Sequence, residues 1–216
     1  MARAGVCLRK SVVEAPALTR GGYSGVARRV SAGAQHSNTA DFQRHTPRAA
    51  RTLCGTTLAG PPMIYEGDFS SPVGRFALVA ARFNGFVVEQ LAAGAADALA
   101  RHGVSAERVD LVRVPGSFEI PLVAQKLAQS GAYAAVICLG CIIRGDTDHY
   151  DHVAGSATSG IAQAALATGV PVIFGVLTCD TLEQAIHRAG AKAGNKGFEA
   201  AVAAIEMVNL LAKLPK

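Results

Sequence analysis

The stretch Ala134-Ala-Val-Ile-Cys-Leu-Gly-Cys-Ile-Ile-Arg-Gly-Asp-Thr-Asp-His149 decides the fold. Its apolar part, residues 134–143, is unbroken and rich in β-branched side chains, which is typical of a strand buried on both faces. A turn containing Gly145 follows, and a helical pattern of small residues begins at Ala154. In α/β proteins a buried strand, a glycine turn and a helix N-terminus form a common binding place for an anion and a reacting group.

Strands and helices alternate on both sides of this stretch. Asn84 and Asp180 are candidate helix caps, and Pro121 falls in a first helical turn, where proline is tolerated. The alternation predicts a four-stranded parallel sheet between two helix layers, an α/β/α sandwich. The predicted strands are 75–81, 109–114, 134–143 and 169–177, and the predicted helices are 84–102, 117–129, 154–168, 180–189 and 198–211.

The basic residues are concentrated at the start of the chain. Residues 1–60 carry nine Lys/Arg against two acidic residues, whereas residues 61–216 carry twelve against fourteen. The first segment is rich in Arg, Ala, Ser and Thr and lacks a continuous apolar core, which is typical of a disordered organelle transit peptide. The alternative is a basic tail with a nucleic-acid role, but the interleaved aromatic residues of such binders are missing. We place the folded domain at 61–216 and expect it to bind neither nucleic acid nor membrane, since no apolar run approaches a membrane span.

Two of the five cysteines, Cys138 and Cys141, form a Cys-x-x-Cys pattern. Because they lie three apart in a predicted strand, their side chains should point to opposite faces. That geometry argues against a redox pair or a zinc site. Buried positions and an odd number of cysteines suit a reducing compartment.

Polar residues cluster after the predicted strands, and a parallel sheet gathers its carboxyl ends at one edge. His149 is the best candidate for a general base, because imidazole titrates near neutrality. The same region also resembles a metal cluster, but it lacks a third nitrogen or sulfur ligand. The clusters are 82–84, 116–119, 146–149 and 178–180, and the metal alternative would use His149, His152, Asp146, Asp148 and Asp151.

Two further groups could contact a ligand. Arg188, Lys192 and Lys196 lie beside glycine-rich backbone, which suits a phosphate; alternatively, they are solvated cations on a helix connection. Phe83 and Phe118 each follow a strand, and two such rings could form a slot for a flat heterocycle or belong to the core. Glu119 could accept hydrogen bonds from a polyol or act as a first-turn charge.

Five motifs follow one another along the predicted domain: Arg82-Phe-Asn84, Val114-Pro-Gly-Ser-Phe-Glu-Ile-Pro121, Gly140-Cys-Ile-Ile-Arg-Gly-Asp-Thr-Asp-His149, Phe174-Gly-Val-Leu-Thr178 and Glu183-Gln-Ala-Ile-His-Arg-Ala-Gly-Ala-Lys-Ala-Gly-Asn-Lys-Gly197. Together they resemble the 6,7-dimethyl-8-ribityllumazine synthase family, over about Tyr65 to Leu211. The Gly-Asp-Thr and Gly-Val-Leu-Thr-Cys-Asp sequences look most like its plant and algal branch, which implies that the leader is a chloroplast transit peptide.

The resemblance implies a flavodoxin-like fold and the penultimate step of riboflavin synthesis, without cofactor or metal. His149 would move protons, and Phe174 would come from a neighbouring subunit. Lys192 would lie near the site. The residues implied for the pyrimidine and ribityl groups are Phe83, Asn84, Ser117, Phe118, Glu119, Cys141, Ile142, Ile143, Phe174 and Lys196, and those for phosphate are Gly145, Asp146, Thr147 and Arg188.

Family members place their sites between subunits of a pentamer, and many build an icosahedral shell from twelve pentamers. We expect the shell here, because residues 180–197 carry no obvious insertion; riboflavin synthase is a candidate partner. Two other functions stay open. One is a metal-assisted phosphohydrolase that uses the His149–His152 cluster, and the other is a protein that holds a flavin-like ring between Phe83 and Phe118 without turnover.

Overall fold

The apolar run that opened the sequence is an inner strand of the sheet. In the computed structural model, which describes residues 62–192 and 194–215, strand β3 spans Ala135–Ile143, and only Ile143 is not fully buried. The predictions for the leader at 1–60, for Cys7 and for Cys54 lie outside the described residues.

The strands and helices alternate as predicted. The strands are β1 Phe76–Ala81, β2 Val109–Val114, β3 and β4 Val172–Cys179. The helices are α1 Gly85–Arg101, α2 Ile120–Gln129, α3 His149–Thr168, α4 Leu182–Arg188 and α5 Lys196–Lys213, with single 3-10 turns at Ala106–Arg108 and Ser117–Glu119.

The four strands of the described residues are parallel, in the order β2-β1-β3-β4. Helices α1 and α5 cover one face of the sheet, where Leu91 and Ile205 pack in one apolar core with Leu78. Helices α2 and α3 cover the other face, where Ile120 and Ile161 lie in a second apolar core. In this order the chain passes from β1 to the strand on one side and from β3 to the strand on the other side, as in a flavodoxin-like sheet. The predicted three-layer sandwich is confirmed.

The alternation of side chains along β3 separates the Cys-x-x-Cys pair, as predicted. Cys138 packs in the core under α2 and α3, and Cys141 in the core under α1 and α5. Both are free thiols, and burial raises the pKa of each to about 12. Neither is therefore suited to thiolate chemistry near neutral pH.

Several predicted bounds were wrong: α2 begins at Ile120 rather than Ser117, and β4 spans Val172–Cys179 rather than 169–177. Helix α3 begins at His149, five residues before the small-residue pattern at Ala154. Its polar first turn stays helical because Tyr150 and Asp151 bind the Arg144 guanidinium, which no periodicity reveals. Helix α5 begins at Lys196 rather than Phe198, because the Asn195 side chain caps it.

Both predicted helix caps also need correction. Thr181, not Asp180, caps α4, with Thr181 Oγ1 accepting a hydrogen bond from the Gln184 backbone N–H at 3.2 Å. Asn84 does occupy the cap position of α1, but its side chain makes no capping bond. That side chain is used in a long-range contact instead.

The segment 62–75 has no regular secondary structure and lies along the end of α5. Asn209 Nδ2 donates to the backbone oxygens of Asp68 at 2.9 Å and of Ser70 at 3.0 Å. Lys213 Nζ donates to Asp68 Oδ2 at 2.8 Å, which helps to lower the pKa of that carboxyl. Within the described ranges, no helix combines the length and apolarity that a membrane span requires.

Candidate active site

Hydrogen bonds connect the carboxyl ends of β1, β2 and β3, at the place where the strand order of the sheet reverses. The Arg82 N–H donates to the Val114 carbonyl at 2.8 Å, and Asn84 Nδ2 donates to the Cys141 carbonyl at 2.8 Å. Asn84 is left-handed, with φ of 55°. The crevice between β1 and β3 is the topological switch point, the usual ligand position in such a sheet.

Two aromatic rings stand beside this crevice. Phe83 is 71% exposed and Phe118 is 57% exposed, so neither belongs to the core. The Phe83 N–H donates to the Pro115 carbonyl at 3.1 Å, which holds that ring at the junction of β1 and β2. Exposed rings at adjacent strand ends offer a stacking surface for a planar ligand.

Ser117 and Glu119 occupy the 3-10 turn between β2 and α2. Ser117 is buried, and a Cβ at Gly140 would lie 2.6 Å from its Oγ, so the glycine allows this hydroxyl to approach β3. Glu119 Oε2 accepts a hydrogen bond from the Gly116 N–H at 2.9 Å. Glu119 therefore closes its own turn through Oε2, and the hydrogen bond leaves its Oε1 available as an acceptor.

Arg144 organises the turn that follows β3. Its backbone N–H donates to the Cys179 carbonyl at 2.9 Å, and its guanidinium reaches both oxygens of Asp151, at 3.1 and 3.2 Å. It also lies 4.0 Å above the Tyr150 ring and 3.3 Å from Asp180. These contacts close the turn from both sides. Sequence reasoning missed this role, although the spacing of Arg144 and Asp151 was visible.

The residues expected to bind phosphate and to move protons are on the surface of this turn. Gly145, Asp146 and Thr147 are exposed, and His149 is the exposed first residue of α3. Backbone N–H groups at a helix start attract anions, so the turn and His149 can face one anionic ligand.

Three predicted binding residues follow one another in β3 and differ in access. The side chains of Cys141 and Ile142 are buried, and Ile143 is half-buried. A ligand in the crevice could therefore meet only the backbone of Cys141 and Ile142, and the Cys141 carbonyl already accepts from Asn84.

The other predicted residues line a separate cavity of about 780 Å³ at the outer edge of β4. Phe174, 41% exposed, forms part of its wall with Arg188, Lys192 and Lys196. Burial raises the pKa of the Cys179 thiol, and the Arg188 guanidinium partly opposes that rise. Among the described residues, none from 82–149 lines this cavity.

Among the polar residues of the cavity wall, three were not predicted as site residues: Gln184, His187 and Glu199. Glu199 forms an ion pair with Lys196, three positions earlier on α5. That helical spacing was the signal that could have found it. Lys196 is therefore a compensated cation, whereas an anion in the cavity would compete with Glu199 for it.

The carboxylates near His149 do not gather around a metal. Asp151 is engaged by Arg144, which lowers its pKa. Within residues 62–192 and 194–215, no three His, Cys, Asp or Glu side chains come together as a metal site. This geometry gives the metal-assisted alternative no support.

Comparison with known families adds one decisive match. The family model described as 6,7-dimethyl-8-ribityllumazine synthase matches residues 74–212, more than half of the chain. The chain belongs to the lumazine synthase family. The family is a group of transferases in riboflavin biosynthesis that bind small-molecule substrates and form oligomers. The crevice and the β4-edge cavity both lie within the matched region.

Proposed function

We propose that the protein condenses 5-amino-6-(D-ribitylamino)uracil with 3,4-dihydroxy-2-butanone 4-phosphate. The products are 6,7-dimethyl-8-ribityllumazine, phosphate and water. One observation carries the proposal: at the switch point the exposed Phe83 ring stands at the end of β1, and the turn with His149 stands at the end of β3. A planar substrate and an anionic one can therefore meet in one crevice.

The pyrimidine stacks on Phe83, and its ribityl chain extends toward the Ser117–Glu119 turn. Ser117 Oγ and the Glu119 carboxylate are acceptors of the kind that hydroxyl groups need. Asn84 supports this half of the site, because its bond to Cys141 holds the Phe83 junction against β3. Phe118 supplies a second apolar surface beside the same turn.

The phosphate lies against Thr147 and the backbone of Gly145 and Asp146, at the positive end of α3. The amine of the pyrimidine attacks the ketone and releases water as an imine forms, so no enzyme nucleophile is required. Removal of a carbon-bound proton then lets phosphate leave, which gives an enol that tautomerises to a ketone. The second amine attacks this carbonyl, and loss of a second water closes the ring. His149, next to the turn, carries these protons. Most of the acceleration comes from holding the two substrates together.

A complete site needs two copies of the chain in this proposal. Arg188, Phe174 and the two lysines line the β4-edge cavity, apart from the crevice. The neighbouring copy brings its cavity residues to the crevice, so that Arg188 joins the turn at phosphate. Exposed apolar side chains on several elements, Phe83, Phe86, Phe118, Leu122 and Leu166, are suited to burial between copies.

We propose a pentamer as the basic assembly and twelve pentamers in an icosahedral shell. Light scattering and native mass spectrometry distinguish a shell from a free pentamer. Riboflavin synthase is proposed as a partner, and co-purification from a mixture of the two proteins tests this association.

A chloroplast location is proposed from the composition of residues 1–60 and from the plant and algal resemblance. Fusing residues 1–60 to a fluorescent protein and following its import into isolated chloroplasts tests it. A fusion that stays outside the organelle contradicts the proposal.

Turnover is tested by mixing the two substrates with the full-length protein and following lumazine fluorescence and phosphate release. His149→Ala should lose about 10²-fold in rate, the low end of the usual range for a general base, because proximity supplies the rest. His152→Ala is the matched control, since His152 is also exposed in the first turn of α3.

The proximity argument fails if His149→Ala abolishes turnover while both substrates still bind. A loss of equal size in His152→Ala, reversed by added metal, would favour the phosphohydrolase alternative. Ring binding without any product from the wild-type protein would favour the non-enzymatic one.

A further inference from the structure

The connection between α4 and α5 is organised by the side-chain amide of Asn195. Its Nδ2 donates to the backbone oxygens of Gln90 and Ala189, both at 2.8 Å. Its Oδ1 accepts from the N–H groups of Gly197 at 2.8 Å and Phe198 at 3.1 Å. Both donors and the acceptor oxygen are thus used. One amide joins α1, the end of α4 and the start of α5.

Two glycines make room for this junction. A Cβ at Gly94 would lie 2.4 Å from Asn195 Cγ, and a Cβ at Gly197 would lie 2.0 Å from the Leu91 carbonyl oxygen. The Asn195 amide and the start of α5 can therefore pack directly against the backbone of α1. Ala189 and Asn195 also form an isolated antiparallel bridge, which closes the intervening loop.

The tied positions stand next to the cations of the cavity. Arg188 directly precedes Ala189, and Lys196 directly follows Asn195; both side chains line the β4-edge cavity. Asn195 does not line that cavity and borders a separate hollow of about 530 Å³ beside α1. The Asn195 amide therefore affects the cavity only indirectly, through the neighbouring residues Arg188 and Lys196.

We propose that Asn195 is a positioning residue that sets the spacing of Arg188 and Lys196 around a bound phosphate group. The inference rests on the proposed function, in which Arg188 joins the turn at the phosphate, and it adds Lys196 to that contact. Charge-assisted hydrogen bonds need both partners at fixed distance, so a loosened loop loses affinity for the anion. In that function the pyrimidine stacks on Phe83 and extends toward the Ser117–Glu119 turn, so its binding should change less than that of phosphate.

Two variants separate the helix cap from the tether. Asn195→Ser keeps a capping oxygen and adds no charge, but its short side chain cannot span to both Gln90 and Ala189. Asn195→Ala removes the cap as well. Asn209→Ala is the matched control, because Asn209 is also a part-buried amide of α5 that donates to backbone oxygens, at the far end of the helix.

Calorimetric titration of the full-length protein with inorganic phosphate measures the anion site directly. We expect Asn195→Ser to raise the Kd for phosphate about 10-fold, as the loss of one charge-assisted contact would. Asn195→Ala should do at least as much and also lower the thermal unfolding midpoint. Asn209→Ala should lower the midpoint and leave the phosphate Kd within about two-fold of wild type.

Steady-state kinetics provide the second measurement. In Asn195→Ser, the KM for the butanone phosphate should rise about 10-fold, while kcat and the KM for the pyrimidine stay within about two-fold. A purely structural role would instead lower the amount of active protein and leave both KM values unchanged.

The outcomes distinguish the inference from the proposed function. Wild-type protein that binds phosphate but forms no lumazine contradicts the function alone, and the phosphate titrations still decide the role of Asn195. Lumazine formation with unchanged phosphate Kd and KM in Asn195→Ser overturns the inference alone. A wild-type protein that binds no phosphate overturns it as well.

Discussion

Asn84 offers a sharp test of how the crevice is held together. It is left-handed, and its Nδ2 donates to the Cys141 carbonyl across the switch point. Asn84→Gly loses the hydrogen bond but adopts the backbone without strain. Asn84→Ala loses the bond and also puts into the left-handed region a residue that tolerates this conformation less well than asparagine does.

The two contributions have known sizes. The lost hydrogen bond costs about 1 kcal/mol, and the strained backbone of alanine adds about 1 kcal/mol. We therefore expect Asn84→Ala to lower the free energy of unfolding by about 2 kcal/mol and Asn84→Gly by about 1 kcal/mol. For a domain of this size, 2 kcal/mol corresponds to a shift of about 4–8 °C in the thermal midpoint.

Thermal unfolding of the wild type and both variants at one fixed protein concentration measures the difference, because the stability of an oligomer depends on concentration. Equal losses in the two variants would refute the role of backbone strain. An unchanged midpoint in Asn84→Gly would refute the contribution of the bond to Cys141.

Two further predictions concern stability. Gly155→Ala should stabilise α3 by about 0.5–1 kcal/mol, because a Cβ there meets nothing within 4 Å. Gly160→Ala should destabilise it by about 1 kcal/mol, because its Cβ would lie 2.6 Å from Pro121 Cβ. Urea unfolding compares the two variants, and a higher free energy of unfolding in Gly160→Ala would contradict the packing of α3 on Pro121. Hydrogen bonds from Arg75 and then Tyr133 lower the pKa of Asp110, so its contribution is present above the unfolded pKa of about 4 and is lost as the pH falls through the native value. The urea midpoint should therefore fall less steeply below pH 4 in Asp110→Asn than in wild type, and identical slopes would show that the pair does not matter.

Periodicity predicted most of the fold because it is a local property. The length and β-branched content of the ten-residue apolar run indicated a strand buried on both faces, and the spacing of Cys138 and Cys141 placed their side chains in different cores. The start of α3 was missed because its first turn, from His149, is polar and depends on Arg144, which lies outside the helix. Helix patterns identify apolar faces, so polar turns stabilised by a neighbour are invisible to them.

The sequence predicted which side chains stand at the sheet edge, but not how Arg188 is placed relative to them. The exposed rings of Phe83 and Phe118 and the position of His149 after β3 agree with the sequence expectation for the sheet edge. The sequence could not show that Arg188 lies in a separate cavity on the outer edge of β4. That separation follows from the strand order, which no single motif contains.

By itself, the sequence determined the alternating strands and helices, the buried β3 and the family, since each depends on residues close together along the chain. Only the tertiary structure decided which polar side chains meet. Asn84 reaches Cys141 across 57 positions, and Asn195 reaches Gln90 across 105. The physical reason is that a hydrogen bond needs two groups within about 3 Å, and packing of the whole domain sets that distance.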